Sequence, residues 1–159
     1  MTTVRSHLWF DDQALPAAQH YAALLPDTRV TSVVQAPAGT PGVADGAPFI
    51  VELELVGVPF TFLNGGPALR LDAAFSVLLQ VDTQEEVDRY WDALTADGGQ
   101  PGQCGWLVDR FGVSWQVVPA GLTRVMSGSD PAGVARAMAV MLTMTKLEVA
   151  PLEAAYAGR

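Results

Sequence analysis

Gln116 is the side chain whose type fits its place least. It stands in CGWLVDRFGVSWQVVP, Cys104 to Pro119, where a buried strand would carry another Val or Ile. Side chains alternate across a strand, so Gln116 shares a face with Ser114, and Val113, Trp115 and Val117 share the other. A buried amide must find partners. Gln116 therefore either satisfies its neighbours or hydrogen-bonds a ligand, and the sequence leaves both open. His7 is the second candidate. In SHLWF it alternates with Leu8, which sets His7 and Trp9 against Leu8 and Phe10. If Leu8 and Phe10 pack on a helix, His7 and Trp9 face the other way. Trp9 and Trp106 are either core or the lining of an apolar pocket with a few polar groups, the usual make-up of a small-ligand site.

Other chemistries find little support. Cys104 is the only cysteine, so the chain forms no internal disulfide and no cysteine cluster for a metal. It reads as a small buried hydrophobe. There is no G-x-S-x-G, and no Ser or Cys has a base at a readable spacing. Asp and Glu gather on helices and turns. Glu52 and Glu54 share a strand face and are expected to point to solvent on an edge strand. Asp109 and Arg110 form a hairpin turn that is expected to be solvated. His20, beside Tyr21 on a helix, reads as a surface or core-edge residue.

Charge narrows the partners. The net charge is −8, and the nine Lys and Arg residues are scattered. Nothing would neutralise a row of phosphates, so no nucleic acid is expected. An anionic membrane surface is unexpected for the same reason. The longest apolar-leaning run, Val134 to Met144, contains Arg136 and is too short to span a bilayer. MTTVRSHLWFDD has no long apolar core of the kind a secretory signal needs. A cytoplasmic protein is the expectation.

These residues sit on a repeated set of elements. Thr83 to Gly98 carries the clearest helix signal: Thr83 and Glu86 make a capping box. Val87, Tyr90, Trp91 and Leu94 then recur at helical spacing, and Gly98 and Gly99 stop the run. Phe75 to Val81 before it alternates as a strand, with Ser76, Leu78 and Gln80 on one face. LWFDDQALPAAQHYAALLPD from Leu8 matches LLQVDTQEEVDRYWDALTAD from Leu78 at a shift of 70 residues. Leu8 meets Leu78, Asp12 meets Asp82, Tyr21 meets Trp91, and Leu24 meets Leu94. The strands before the helices are expected to be offset by one residue more than the helices. Strands follow in each copy: Arg29 to Gln35, Phe49 to Leu55 and Val58 to Asn64, then Gly102 to Asp109 and Val113 to Val118. The fold class is α+β, two short mixed sheets with helices on their outer faces. Asn64-Gly65-Gly66 reads as a turn that needs positive φ. Asp130-Pro131 starts a tail helix with an apolar stripe of Ala135, Met138, Ala139 and Leu142, and a shorter helix follows from Leu147. The expected organisation is one domain over residues 1–120, made of modules 1–66 and 73–120, with a helical tail over 121–159 that packs on the domain or on a dimer partner.

Two βαβββ modules of this length resemble the vicinal oxygen chelate superfamily, which includes glyoxalase I, extradiol dioxygenases and the bleomycin and fosfomycin resistance proteins. LWFDDQA, FLNGGP, QEEVDRYWDAL, CGWLVDRFGVSWQVVP and ARAMAVMLTMTKLEVAPLEAAY are similar to its PhnB-like branch. The resemblance implies paired half-barrels, a homodimer and a cleft for a small molecule. Metal-using members take a His or Glu early in the first strand and another in the last strand of each module. Here those places offer His7, nothing in VPFTFLN, Ser76, and Gln116 where glyoxalase I would have a Glu. A catalytic metal wants about three good protein ligands, so no metal or other cofactor is expected. Many members of the branch carry the label 3-demethylubiquinone-9 3-methyltransferase, which implies S-adenosylmethionine. No glycine-rich strand-to-helix turn is present to hold a nucleotide. The expected function is metal-free binding of a small, partly apolar molecule through His7, Trp9, Ser76, Trp106, Ser114 and Gln116. The alternatives are a metal-dependent lyase or dioxygenase, a methyltransferase, and a structural dimer with no ligand.

Overall fold

Alternation decides which strand residues meet a helix. Leu8 and Phe10 of β1 (Ser6–Phe10) are buried, while His7 between them is exposed. In the computed structural model, which describes residues 1–159, that inner row belongs to the first of two compact units, Met1–Leu71. Helix α1 (Ala14–Leu24) follows, then β2 (Arg29–Gln35), β3 (Pro48–Leu55) and β4 (Val58–Asn64). The sheet order is β1-β4-β3-β2, with β1 and β4 parallel and the other pairs antiparallel. Ala14, Ala17 and Ala18 let α1 lie close to the sheet, and Tyr21 fills the space beyond them. Phe62 packs between Phe10, with ring centres 4.9 Å apart, and the edge of Tyr21. The β3–β4 turn is Val56-Gly57, both left-handed at φ 49° and 76°. Such a two-residue turn matches the twist of a hairpin, although Val pays a steric penalty there.

The second unit, Asp72–Arg159, repeats the plan. It comprises β5 (Val77–Val81), α2 (Gln84–Thr95), β6 (Gln100–Pro101), β7 (Trp106–Val108) and β8 (Ser114–Pro119), in the order β5-β8-β7-β6. Again the first and last strands pair in parallel. Leu107, Val113, Trp115 and Val117 are buried with Val87, Tyr90, Trp91 and Leu94 of α2. Thr83 and Glu86 cap α2 reciprocally, and the two backbone N–H groups at Asp82 and Thr83 hold the Glu86 carboxyl below its usual range.

Duplication shows in the offsets. The helices start 70 residues apart, at Ala14 and Gln84, while Leu8 and Phe10 take the places of Leu79 and Val81, 71 residues on. Two strand expectations and the reading of the tail need correction. β5 begins only at Val77, and Phe75 is largely exposed because no neighbouring strand continues beside it. Gly102 to Asp109 is not one strand: left-handed Cys104 and Gly105 make a tight turn between β6 and β7. In the tail an unanticipated helix, α3 (Ala120–Met126), precedes α4 (Pro131–Met141) and α5 (Val149–Tyr156). Along α4 it is Gly133 and Ala137 that are buried. The stripe of Ala135, Met138, Ala139 and Leu142 faces outward. No helix is long and apolar enough to cross a membrane.

Candidate functional site

Burying Trp115 on the helix side forces its neighbours to the opposite face of the second sheet. Register sets Gln116 beside Leu78 of β5 and Trp106 of β7, one row across three strands. Ser76, just before β5, lies near the end of this row, and Gln116 Nε2 donates to its Oγ at 2.9 Å. Ser114, on the same face of β8, is buried and its hydroxyl donates to the Asp72 carbonyl at 3.5 Å. The row keeps an accessible surface: Leu78 is 58% exposed, and Trp106 and Gln116 are half-buried. The structure therefore brings Ser76, Trp106, Ser114 and Gln116 together on one neutral face. Leu78 belongs with them. An apolar residue between Ser76 and Gln80 on the strand's polar side was the signal for it.

Asp109 explains how that face is held, and it corrects an expectation. It is buried, not solvated. Its Oδ1 accepts from the N–H groups of Phe111 and Val113 at 2.9 and 3.0 Å, and Oδ2 accepts from Trp115 Nε1 at 2.9 Å. The carboxylate thus closes the β7–β8 hairpin and ties the inner Trp115 to it, which fixes the register of the outer Trp106 and Gln116. Arg110 turns away to Asp97, at 2.6 Å.

On the first sheet, His7 and Trp9 share the face away from α1. His7 lies in register with Thr61 and Glu52, and Trp9 with Leu63 and Ile50. Trp9 Nε1 donates to the Gly66 carbonyl at 2.8 Å, and its ring lies over Gly65, where any Cβ would collide with it. Gly65 is thus required by close approach; Gly66 is the position with positive φ, at 79°. Glu52 and Glu54 are ion-paired with Arg5 at 2.6 Å and Arg29 at 2.8 Å. Asn64 is buried: its Oδ1 accepts from Ala14 N, the first residue of α1, and its Nδ2 donates to the Pro48 carbonyl.

An open groove of about 410 Å³ lies elsewhere, on the helices of the second unit, lined by Gln84, Asp88, Lys146, Glu148 and Val149 among others. Lys146 Nζ stands 2.7 Å from Asp88 Oδ1. That contact, with Gln84 adding to it, holds the Asp88 carboxyl below its usual range, and Asp88 raises Lys146 above the usual lysine range.

The donor set does not suit a metal. No three of His, Cys, Asp and Glu gather anywhere to hold an ion. In the second unit Ser76 and Gln116 are a hydroxyl and an amide that bond each other. Nor do the strand-to-helix junctions suit a nucleotide: they read Asp11-Asp12-Gln13 and Asp82-Thr83, without glycine.

A family profile described as 3-demethylubiquinone-9 3-methyltransferase matches residues 2–118. The chain belongs to that family. Among solved structures, a PhnB protein from Bacillus cereus, titled a 3-demethylubiquinone-9 3-methyltransferase candidate, is 23% identical with a TM-score of 0.67. The match covers 74% of this chain and 99% of that one. Protein PA1353 from Pseudomonas aeruginosa is 21% identical with a TM-score of 0.60, over 75% of this chain and 98% of that one. The fosfomycin resistance protein FosX from Listeria monocytogenes is 12% identical, TM-score 0.49, over 74% and 91% of the two chains. No curated protein matches. The fold is therefore that of the PhnB protein and PA1353, and residues 119–159 lie beyond the profile match.

Proposed function

We propose that this family member is a metal-free binding protein for a small, uncharged aromatic molecule that carries an amide-like donor and acceptor. The binding surface is the face of the second sheet turned away from α2, its outer face. One observation carries the reading: the Gln116–Ser76 hydrogen bond lies in register with Trp106 and the exposed Leu78. After that bond, the amide keeps one N–H and its Oε1, and the serine keeps its hydroxyl proton. These groups complement a primary amide or lactam, while Trp106 and Leu78 supply apolar area for a ring. No side chain in the row is charged, which favours a neutral ligand, because an ion here would lose hydration without gaining a counter-charge.

Benzamide is the simplest probe. Titration followed by the indole N–H resonances should show saturable binding in the millimolar range expected of so small a ligand. Gln116→Ala should weaken it about tenfold, roughly the worth of one to two hydrogen bonds. Absence of saturable binding by the wild type sinks the reading. The methyltransferase alternative is tested by thermal shift with S-adenosylmethionine: a ligand at 100 times its Kd stabilises by about 2.7 kcal/mol. A rise of that order would replace the binding-protein reading with an enzymatic one.

A further inference from the structure

About a quarter of this chain has no counterpart in the PhnB protein, which is matched over 99% of its length by 74% of this one. Residues 119–159 lie beyond the profile match, and part of them reaches the turn beside the proposed binding face. Trp106 follows directly on the Cys104-Gly105 turn, and both turn residues have positive φ, at 56° and 83°. Their N–H groups have no partner in the sheet. Cys104 N donates to the Met144 carbonyl at 2.8 Å, and Gly105 N to the Thr145 carbonyl at 2.7 Å. Cys104 Sγ also lies 3.5 Å from the Met141 carbonyl. Gly105 has no room for a side chain: a Cβ there would stand 2.8 Å from Leu147 Cδ1 and 2.9 Å from the Val117 carbonyl. Leu147 itself is fully buried.

The segment is fixed at its other end too. Gln84 Nε2 donates to the Leu147 carbonyl at 3.1 Å, and Gln84 Oε1 accepts from Val149 N at 2.9 Å. The sheet holds the turn through its carbonyl side, where Val117 N donates to the Gly105 carbonyl at 2.9 Å and Gly102 N to the Trp106 carbonyl at 2.7 Å, and the tail holds its N–H side. β6 and β7 have only two and three residues, and they pair at Gln100–Val108 and Pro101–Leu107.

We infer that Met144–Leu147 is a positioning element for Trp106: this tail segment helps set the angle and rigidity at which the indole is presented. This rests on the outer sheet face being the binding surface. The segment's carbonyls accept from Cys104 and Gly105, directly before Trp106, and from Gln84; none accepts from Gln116 or Ser76.

The test uses full-length protein labelled with 5-fluorotryptophan, with the Trp106 ¹⁹F resonance assigned through Trp106→Phe. Leu147→Ala should shift or split that resonance and leave Trp9 of the first unit unchanged. It should weaken benzamide binding about fivefold, and Leu147→Met should restore both. Gln84→Ala, which frees the segment without opening a core cavity, should move the Trp106 resonance in the same direction. A Trp106 resonance and a benzamide affinity that stay at wild-type values in both variants, while Tm falls, would reduce the tail to a stabiliser and overturn the inference. Should the wild type not bind benzamide at all, the ligand reading fails, and the fluorine spectra still decide whether the tail positions Trp106.

Discussion

Each unit lays its last strand beside its first, in parallel, and drapes one helix over the inner side. They differ in how the helix start is satisfied and in what the outer face carries. In the first unit, α1 has Gln13 at its cap with no side-chain bond, and Asn64 reaches across from β4 to take the Ala14 N–H. In the second, Thr83 and Glu86 do this locally. The first sheet's outer face bears ion pairs, Arg5–Glu52 and Arg29–Glu54, and the second bears an amide and a hydroxyl. One backbone plan thus accepts opposite solutions. Topology sets where side chains point, and the choice of side chain sets the chemistry.

The comparison can be broken most severely at the buried polar ties. Asp109→Ala removes the carboxylate that accepts from Trp115 Nε1 and from two hairpin N–H groups in the second unit, and should cost about 3–4 kcal/mol in urea unfolding. A loss under 1 kcal/mol would mean that the hairpin does not depend on this carboxylate. Next comes the cross-strand cap. Asn64→Ala should cost about 2 kcal/mol, against about 1 kcal/mol for Thr83→Ala, since Asn64 is buried and ties Pro48 as well. Equal losses would remove the distinction between a tertiary and a local cap. The smallest effect is at Lys146–Asp88, a pair open to solvent. Lys146→Met should cost about 0.5 kcal/mol or less. Asp88 titrates below its usual range, so its share is present above the ordinary aspartate pKa and fades as pH falls through the lowered value. Lys146 titrates above its usual range, so its share holds below the ordinary lysine pKa and fades as pH rises through the raised value. The difference between wild type and Lys146→Met should therefore be flat across neutral pH and narrow at both extremes.

Sequence legibility follows range. The alternation of Leu8 and Phe10 against His7, the Thr83–Glu86 box and the apolar stripe of α2 are all set within a turn or a strand, and each was readable. The same was true of the one-residue difference in offset between strands and helices. Asp109 was misread because DRFG looks like a solvated turn. Its burial depends on Trp115, six residues on, turning inward and needing an acceptor. The Cys104-Gly105 turn was read as strand because its partners, Met144 and Thr145, lie far along the chain. The stripe on α4 was correctly read as apolar, but periodicity cannot say which side of a helix is covered. Gly133 decides it, because Tyr156 closes to within 2.7 Å of where its Cβ would stand. At the site, strand alternation placed Gln116, Ser114, Trp9 and His7. The Gln116–Ser76 bond needed the parallel β5–β8 register, which no local pattern encodes.

Chain order gives the Met144–Leu147 contact one more meaning. The first unit closes all its strand pairs within residues 6–64. The turn ahead of Trp106 obtains its backbone acceptors only from residues 144 and 145. Until these emerge from the exit tunnel, two N–H groups of that turn have only water to bond, and the turn is completed last.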